Sequence, residues 1–484
     1  MYLYNSASHR KEVFKPNNPK LITMYTCGPT VYHYAHIGNL RSYIMEDILE
    51  KYLRYLGYNV KRVMNITDVG HLTSDADTGE DKMLKGARRE HKSVMEIAKF
   101  YTDAFFEDCK DLNIKRPDVV EPATNCIDEY IKIIDKLVHT GYAYLAGGNV
   151  YFDTSKLKQY YVFNDFSKED LQTGVREGVG EDKNKKNTND FVLWFTKSKF
   201  ENQALKWDSP WGVGYPGWHI ECSGIAIKHC GEYLDIHCGG IDNAFPHHTN
   251  EIAQSESYLQ HHWCNYWMHV YHLNTPEGKM SKSTGEFLTI SLLKDKGYDP
   301  ISYRFFCLQS HYRKALLFTW KNLDNAAQTY SKLVNRIALI QNDGKLDEQA
   351  YAKFAENFHS ALDNDLNTSS AITCLYDVLK ADINGATKIA LIDNFDTVLG
   401  LKLIEKSEDI KAKSKSLKAK ISTSDFEIVS EEGEENPEVE KLLLERQAAK
   451  KEKNFARADE IRNHLSEIGI EVTDVPKGVH WCRK

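Results

Sequence analysis

Two short segments of the sequence carry groups that could bind phosphate. His36, Gly38 and Asn39 stand where a strand pattern gives way to a helical one, so we expect them at a helix N-terminus. Free backbone N–H groups and the helix dipole favour anions there, and a glycine leaves room for a close ligand. Far downstream, Lys279 and Lys282 lie three residues apart behind a glycine. Their ammonium groups could neutralise a chain of phosphates.

A second group of residues has the chemistry of a metal site. His247 and Glu251 are four apart at a predicted helix start, so their side chains would project from one face. We expect Cys27 and Cys222 at the ends of strands, and such ends meet at one edge of a parallel sheet. Thiolate, imidazole and carboxylate together suit tetrahedral zinc. Other residues of the same segments compete as ligands, namely His237, Cys238 and His248.

The elements that would position these groups alternate between strand and helix. An apolar run at residues 21–25 predicts a buried strand, and helical spacing from Leu40 to Leu56 predicts a helix that stops at Gly57. Residues 60–66 have the pattern of a second strand, and strand patterns recur between residues 217 and 270. The predicted fold class is therefore α/β, with a Rossmann-type parallel sheet.

Changes in periodicity and composition divide the chain. They predict an α/β domain, a subdomain inserted within it, an all-α helix bundle, a charged linker and a compact basic C-terminal unit. These correspond to residues 1–115 with 215–310, 116–214, 311–403, 404–436 and 437–484, respectively. In the last part, Trp481 stands among cations, where it could stack on an unpaired base or belong to the core of a helical hairpin.

The composition excludes several classes of protein. The chain has 484 residues, of which 42% are hydrophobic, and a formal net charge of −7, which argues against a protein that coats nucleic acid without specificity. It has no apolar run of about 20 residues, so no membrane span is predicted. The N-terminus lacks the apolar core of a signal peptide, and ten dispersed cysteines are typical of reduced thiols. These features predict a cytoplasmic protein.

Along nearly its whole length the sequence resembles the cysteinyl-tRNA synthetases, which are class I aminoacyl-tRNA synthetases. HIGN at residues 36–39 and KMSKS at residues 279–283 resemble the two signatures of that class. The closer resemblance is carried by CGPTVYHYAHIGNLRSY, NITDVG, GWHIECSG, DIHCGGIDNAFPHHTNEIAQSE, SHYR, and RQAAKKEKNFARADEIR with its closing Trp481. The sequence departs from the family pattern at Asn39, Cys238 and Thr249, and in a polar insert at residues 70–80.

This resemblance implies a ligase that activates L-cysteine with ATP and transfers it to the 3′ end of tRNA(Cys), with Mg²⁺ accompanying ATP. The family's zinc ligands fall on Cys27, Cys222, His247 and Glu251. Its catalytic residues fall on His36, Asn39, Lys279 and Lys282. Its ATP-binding residues fall on His36, Gly38, Asn39, Gly239, Gly240, Asp242 and Lys282. Its cysteine-binding residues fall on Thr67 and Trp218.

Two other functions stay open at this point. A ligase that transfers cysteine to a small-molecule amine would use the same adenylation site but would need no tRNA-reading tail, and this chain has such a tail. A non-catalytic tRNA-binding relative would be expected to have lost the lysine segment or the ligand set, and both are present. The sequence specifies neither the bases that are read nor the role of the lysine-rich loop at residues 181–189. We expect a monomer.

Overall fold

The computed structural model describes most of the chain, in two compact units. The described residues are 1–69, 93–163, 182–197, 205–276, 278–279, 288–416, 421–423, 426–430, 436–475 and 478–483. One unit comprises Met1–Ser331 and Asn342–Lys402, and the other comprises Lys332–Gln341 and Leu403–Lys484. The polar insert at residues 70–80 and Lys282 lie outside the described residues.

The first unit contains fourteen strands and eleven α-helices among its described residues. The strands are β1 (Tyr2–Asn5), β2 (Arg10–Val13), β3 (Ile22–Thr26), β4 (Val60–Ile66), β5 (Val119–Pro122), β6 (Ala143–Ala146), β7 (Asn149–Phe152), β8 (Phe191–Phe195), β9 (Tyr215–Pro216), β10 (Leu234–Gly240), β11 (Cys264–Val270), β12 (Leu273–Thr275), β13 (Gly278–Lys279) and β14 (Leu316–Leu317). The helices are α1 (Ile37–Tyr55), α2 (Val94–Asp111), α3 (Ile127–His139), α4 (Trp218–Cys230), α5 (Thr249–Leu259), α6 (Ile290–Asp295), α7 (Pro300–Leu308), α8 (Trp320–Ala338, which continues into the second unit), α9 (Glu348–Asp363), α10 (Thr368–Lys380) and α11 (Gly385–Leu399).

A five-stranded sheet forms the centre of the first unit. Its strand order is β11-β10-β3-β4-β5, and every neighbouring pair is parallel. All five residues of β3 are buried, as an apolar strand covered on both faces should be. The long crossovers that parallel pairs require carry helices such as α1, which joins β3 to β4. The predicted α/β class with a parallel sheet is confirmed.

Helix α1 begins and ends as its sequence predicts. His36 is the N-cap residue, and its Nδ1 accepts a hydrogen bond of 3.2 Å from the Asn39 backbone N–H. After the helix, Gly57 has φ +86°, a left-handed conformation that glycine adopts at little cost. The helix N-terminus is thereby fixed immediately after the loop that follows β3.

The buried face of α1 is charged as well as apolar. Asp47 Oδ2 lies 2.7 Å from Arg304 Nη2 on α7, and Glu50 Oε2 lies 3.0 Å from Arg62 Nε on β4; all four side chains are fully buried. Asp47 Oδ2 has a second cationic neighbour, because Lys51 Nζ lies 2.8 Å from it. Buried charges are tolerated only when they are paired in this way, so these contacts fix α1 against the sheet and the helical region.

An antiparallel sheet occupies the middle of the chain, with the order β6-β7-β8-β9. It packs with α3 and α4, whose apolar residues share one core with it, including Tyr130, Trp194 and Ile225. A Cβ at Gly224 would lie 2.5 Å from the Tyr130 ring, so this glycine permits the close approach of α3 and α4. Helix α4, which carries Trp218 and Cys222, is therefore supported by this middle segment.

The second unit combines helices with a mixed sheet. It contains α12 (Leu403–Ser416), β15 (Ile421–Thr423), β16 (Phe426–Ser430), α13 (Pro437–Lys451), α14 (Phe455–Glu467), β17 (Ile470–Val475) and β18 (Gly478–Arg483). The sheet order is β15-β16-β18-β17. Residues 404–436, expected to be a linker, thus contribute a helix and two strands.

The position of Trp481 corrects one interpretation of the sequence. Trp481 lies on β18 and is only 1% exposed, in a core with Leu443, Ile461 and Leu465. The stacking of Trp481 on an unpaired base is therefore wrong, because the ring is already covered by apolar side chains. In the part of the chain that the structure describes, no helix has the length and apolarity needed to cross a membrane.

Candidate active site

Most of the predicted site residues of the first unit line one pocket, although Glu251 is not among its lining residues. It has a volume of about 330 Å³ and opens at the carboxyl ends of β3, β4 and β10, next to the start of α1. The residues of the predicted set that line it are Cys27, His36, Gly38, Asn39, Thr67, Trp218, Cys222, Gly239, Gly240, Asp242 and His247. Ligands of open parallel sheets bind at such an edge.

One side of the pocket is suited to a phosphate chain. Because His36 Nδ1 accepts from the Asn39 backbone, the ring proton of neutral His36 lies on Nε2, which can donate to an anion. Gly239 and Gly240 end β10, and Asp242 follows in a 3₁₀ turn. A Cβ at Gly240 would lie 2.6 Å from Asp242 Oδ1, so the residue must be small for this carboxylate to approach the strand end.

Arg41 connects this side of the pocket to the segment that carries the predicted lysines. Its guanidinium is completely buried and donates to the backbone carbonyls of Tyr271 and His272 at 2.6 and 2.7 Å. It also donates to the carbonyls of His311 and Lys314. Lys279 lies shortly afterwards, on β13, whereas Lys282 lies outside the described residues.

The opposite side of the pocket holds a group of possible metal ligands. One ligand atom from each of Cys27, Cys222, His247 and Glu251 lies within 4.8 Å of the other three. Cys27 Sγ is 3.9 Å from Cys222 Sγ, and His247 Nε2 is 3.4 Å from Cys222 Sγ and 3.1 Å from Glu251 Oε1. Two thiols, an imidazole and a carboxylate gathered in this way are compatible with metal binding.

Burial gives this cluster its electrostatic character. Burial raises the pKa of the Cys27 thiol well above its usual value, and it also raises the pKa of Cys222. Burial likewise raises the pKa of the Glu251 carboxyl well above its usual value. Each of these groups would gain from a nearby cation, which favours the deprotonated form that binds a metal.

A second combination of ligands shares two members with the first. Cys27, His237, His248 and Glu251 also bring their ligand atoms within 4.8 Å of one another. His248 Nε2 lies 3.4 Å from Cys27 Sγ, and His237 Nε2 lies 2.9 Å from Glu251 Oε2. However, three residues of the first set line the pocket, whereas Cys27 alone of the second set does so. The first set therefore has more of its members at the pocket than the second set.

The sequence pattern predicted the wrong secondary structure for Cys222. It lies on helix α4, one turn after Trp218, and not at the end of a strand. His219 through Ala226 are all buried, so this helix has no polar face to reveal its period. Trp218 packs on His247 with ring centroids 4.3 Å apart, which holds the imidazole toward the thiols.

The sequence did not single out several residues that shape the pocket. Asn65, which lies within the quoted NITDVG, accepts from the Gly28 backbone N–H at 2.7 Å. Glu221 accepts from the Thr67 hydroxyl at 3.2 Å. Glu46 lines the pocket and is fully buried, and neither of its carboxylate oxygens has a hydrogen-bond partner among the described residues. The helical spacing of Asn39, Tyr43 and Glu46 on α1 was the signal that could have identified Glu46.

Comparison with known proteins identifies the class of protein to which this fold and pocket belong. Residues 13–328 match the family model of the tRNA synthetases class I (C) catalytic domain, residues 357–405 match the DALR domain, and residues 432–481 match the cysteinyl-tRNA ligase anticodon binding domain. A methionyl-tRNA synthetase of Mycobacterium tuberculosis bound by methionyl-adenylate is similar in fold, with a TM-score of 0.52, 15% identity, and coverage of 80% of this chain and 90% of that one. The parallel sheet and its edge pocket are thus those of a class I aminoacyl-tRNA synthetase.

Sequence relatives narrow this class further. The cysteine–tRNA ligase of Treponema denticola is 46% identical over 506 aligned residues, which cover 99% of each chain. Those of Borrelia turicatae and Treponema pallidum are 41% and 38% identical, with coverage of at least 98% of each chain. The chain belongs to the cysteine–tRNA ligase family, as its sequence motifs predicted.

Proposed function

We propose that this chain catalyses the reaction of L-cysteine, ATP and tRNA(Cys) to give cysteinyl-tRNA(Cys), AMP and pyrophosphate. The observation that carries the proposal is that a thiol, imidazole and carboxylate cluster and a helix N-terminus suited to phosphate face the same pocket. An amino acid with a thiol side chain and a nucleoside triphosphate can therefore bind next to each other there. The first two substrates would form cysteinyl-adenylate, which then transfers its cysteinyl group to the tRNA.

Selection of cysteine is assigned to the cluster of Cys27, Cys222, His247 and Glu251. A zinc ion held there would supply a soft Lewis acid that binds a thiolate far better than the hydroxyl of serine. Cys222, His247 and Glu251 are buried and Cys27 is partly buried, which limits the water that would otherwise compete for the site. Trp218 and Thr67 also line the pocket and would hold the rest of the amino acid. A site that demands one particular partner can reject an analogue without editing.

Binding of ATP is assigned to the other side of the pocket. The N-terminus of α1, with His36, Gly38 and Asn39, would donate to the triphosphate, and Asp242 would accept from the ribose hydroxyls. Mg²⁺ would enter with ATP as part of that substrate. Lys279 and Lys282 would add positive charge to the phosphates as the cysteine carboxylate attacks the α-phosphorus in line. These contributions are positioning and charge stabilisation.

We assign the remaining parts of the chain to tRNA. Residues 1–115 with 215–310 would carry out catalysis, and residues 116–214 would be the connective subdomain inserted in that domain. The helix bundle of residues 311–403 would bind tRNA, and residues 437–484 would bind the anticodon. In the last segment, Lys451, Lys453 and Arg462 are exposed, and Phe455 is 63% exposed. Exposed cations around an exposed ring suit a single-stranded loop. We place the enzyme in the cytoplasm, where its ten free cysteines would stay reduced, and we expect a monomer.

Cysteine-dependent exchange of pyrophosphate into ATP tests this proposal. The purified protein should exchange with cysteine but not with serine, contain about one zinc per chain, and charge tRNA(Cys). The Lys282→Ala variant should slow adenylate formation far more than it weakens cysteine binding. Exchange without tRNA charging would indicate a ligase for small-molecule amines instead. Binding of tRNA without any exchange would indicate a non-catalytic relative and would refute the mechanism.

A further inference from the structure

Two aromatic side chains lie exposed at the edge of the pocket. Tyr34 lines the pocket and is 36% exposed, and Phe100 on α2 is 40% exposed. Their ring centroids are 6.1 Å apart. Single exposed apolar residues are common on protein surfaces, but two rings in contact beside a binding pocket indicate an interaction site. We call Tyr34 and Phe100 the aromatic ledge.

The aromatic ledge is supported from behind by a buried side chain. Tyr101 is 4% exposed and contacts both members of the ledge, with its ring centroid 5.1 Å from that of Tyr34 and 5.1 Å from that of Phe100. Tyr101 also belongs to a small apolar core with Val31 and Ile66. Packing therefore fixes the two exposed rings, which lowers the conformational entropy lost when a ligand binds to them.

The Tyr34 ring has no parallel neighbour among the rings of the described residues. Its contacts with His33, Phe100 and Tyr101 are close to perpendicular, with interplanar angles of 82°, 72° and 90°. Perpendicular neighbours set the tilt of an aromatic ring, whereas a nucleobase binds by stacking parallel to it. The aromatic ledge is therefore compatible with a planar ligand in the parallel orientation.

The topology of the sheet separates the aromatic ledge from the part of the pocket assigned to ATP. In the central sheet, β10 lies on one side of β3 and β4 lies on the other. The glycines assigned to ATP end β10, whereas Phe100 lies on α2, in the connection from β4 to β5. Tyr34 precedes His36, the N-cap residue of α1, by two residues. A second nucleoside can therefore approach the phosphate-binding end of α1 from the β4 side.

The proposed reaction requires such a second nucleoside. A ribose hydroxyl of the last nucleotide of tRNA forms the new ester with the cysteinyl group, and AMP leaves as the acyl–phosphate bond breaks, so that nucleotide has to enter the pocket. Its base is unpaired, and proteins bind unpaired bases by stacking them on aromatic side chains. We propose that the aromatic ledge stacks on the base of the 3′-terminal nucleotide of tRNA. This inference rests on the proposed function and adds to it the residues that position the acceptor end.

Two forms of tRNA(Cys) serve as the probes, namely the complete molecule and one shortened by its 3′-terminal nucleotide. Their dissociation constants are measured for the natural protein and for Tyr34→Ala, Phe100→Ala and Tyr34→Phe. Tyr233→Ala is the matched control, because Tyr233 is 58% exposed but immediately precedes β10, at the opposite end of that strand from the pocket. Cysteine-dependent exchange of pyrophosphate into ATP, measured without tRNA, establishes that each variant is folded and has an intact pocket.

The variants should respond according to whether they keep both rings. The natural protein should bind the complete tRNA about tenfold more tightly than the shortened one, which is within the usual contribution of one stacked base. Tyr34→Ala and Phe100→Ala should lose most of this preference, and their kcat/KM for tRNA in charging should fall about tenfold. Tyr34→Phe keeps the ring and, like Tyr233→Ala, should differ less than about twofold from the natural protein. In every variant, the KM values of exchange for ATP and cysteine should change less than about twofold.

Several results would overturn the inference. A natural protein that charges tRNA without preferring the complete form, or alanine variants that keep the preference, would exclude a contact between the ledge and the last base. Equal weakening of both forms in the alanine variants would place the ledge against another part of the tRNA. A raised KM for ATP in exchange would assign the ledge to the adenine of ATP. A natural protein that neither exchanges nor charges would instead refute the proposed function itself.

Discussion

The buried carboxyl of Glu46 makes the stability of the first unit depend on pH. Burial raises the pKa of this group from its usual 4.5 to about 8, although the positive charge of Arg62 partly opposes the shift. Between these two values the folded protein holds a proton that the unfolded chain releases. The contribution of Glu46 to stability is therefore greatest below about pH 4.5 and is lost progressively as the pH rises toward about 8.

The Glu46→Gln substitution should remove this dependence while keeping the shape of the side chain. The full difference between 4.5 and about 8 corresponds to about 5 kcal/mol. Between about pH 6 and about pH 8.5, the contribution of Glu46 to the free energy of unfolding should fall by about 2.5 kcal/mol. The variant should gain that amount over the natural protein across the same interval.

Urea denaturation followed by tryptophan fluorescence measures the effect. The first unit contains all of the tryptophans except Trp481, so the signal reports mainly on that unit. Asp103→Asn is the matched control, because it also replaces a carboxyl by an amide and the Asp103 side chain is 65% exposed. Parallel pH profiles for the natural protein and Glu46→Gln would refute the assignment of a buried, protonated carboxyl.

Three further changes test other contacts. Cys222→Ser should lower the zinc content of the purified protein and its rate of cysteine activation together; full metal content with full activation would exclude Cys222 as a ligand. Asp47→Asn should cost about 3–5 kcal/mol in the free energy of unfolding, because Arg304 would stay buried without its charged partner; a loss below about 1 kcal/mol in urea denaturation would contradict this. Trp481→Ala should destabilise the second unit by about 3–5 kcal/mol through the cavity that it leaves, and hydrogen exchange in β17 and β18 would detect it; unchanged protection would place the ring outside the core.

The sequence predicted the central sheet because its strands are long enough to show their character. Residues 60–66 form β4 as expected, and α1 ends at the predicted glycine stop. Helix α4 was mistaken for a strand because Trp218, Ile220 and Cys222 alternate with polar residues over a short distance. Sheet and helix cover both sides of α4, so its polar residues are buried too, and periodicity cannot separate the two conformations.

The C-terminal unit shows a different limit of sequence reasoning. Val479 and Trp481 are buried on β18, while His480 and Cys482 between them are less so, which is the period of a strand. The cations around Trp481 obscured that period. Likewise, β16 pairs with β18 across about fifty residues of sequence, so its strand character depends on a partner that local composition does not reveal.

The contacts of Asn65 and Thr67 could not be predicted from the motifs alone. The sequence places these residues two positions apart, but Asn65 contacts Gly28 and Thr67 contacts Glu221, which come from other elements. Distances between separate elements decide which atom faces which. Residue types suggest the chemistry of a pocket, and the fold decides its polarity.

The four carbonyls around Arg41 have a consequence for how the enzyme meets ATP. They bind α1 to residues 271–272 and to residues 311–314 through a single rigid guanidinium. Helix α1, which we propose binds phosphate, is therefore held in a fixed position relative to residues 271–272, shortly before the lysine segment. The conformational entropy of bringing these elements together is lost during folding. Binding of ATP does not have to lose that entropy again. More of the binding free energy of ATP is therefore available to stabilise the transition state relative to the bound substrates.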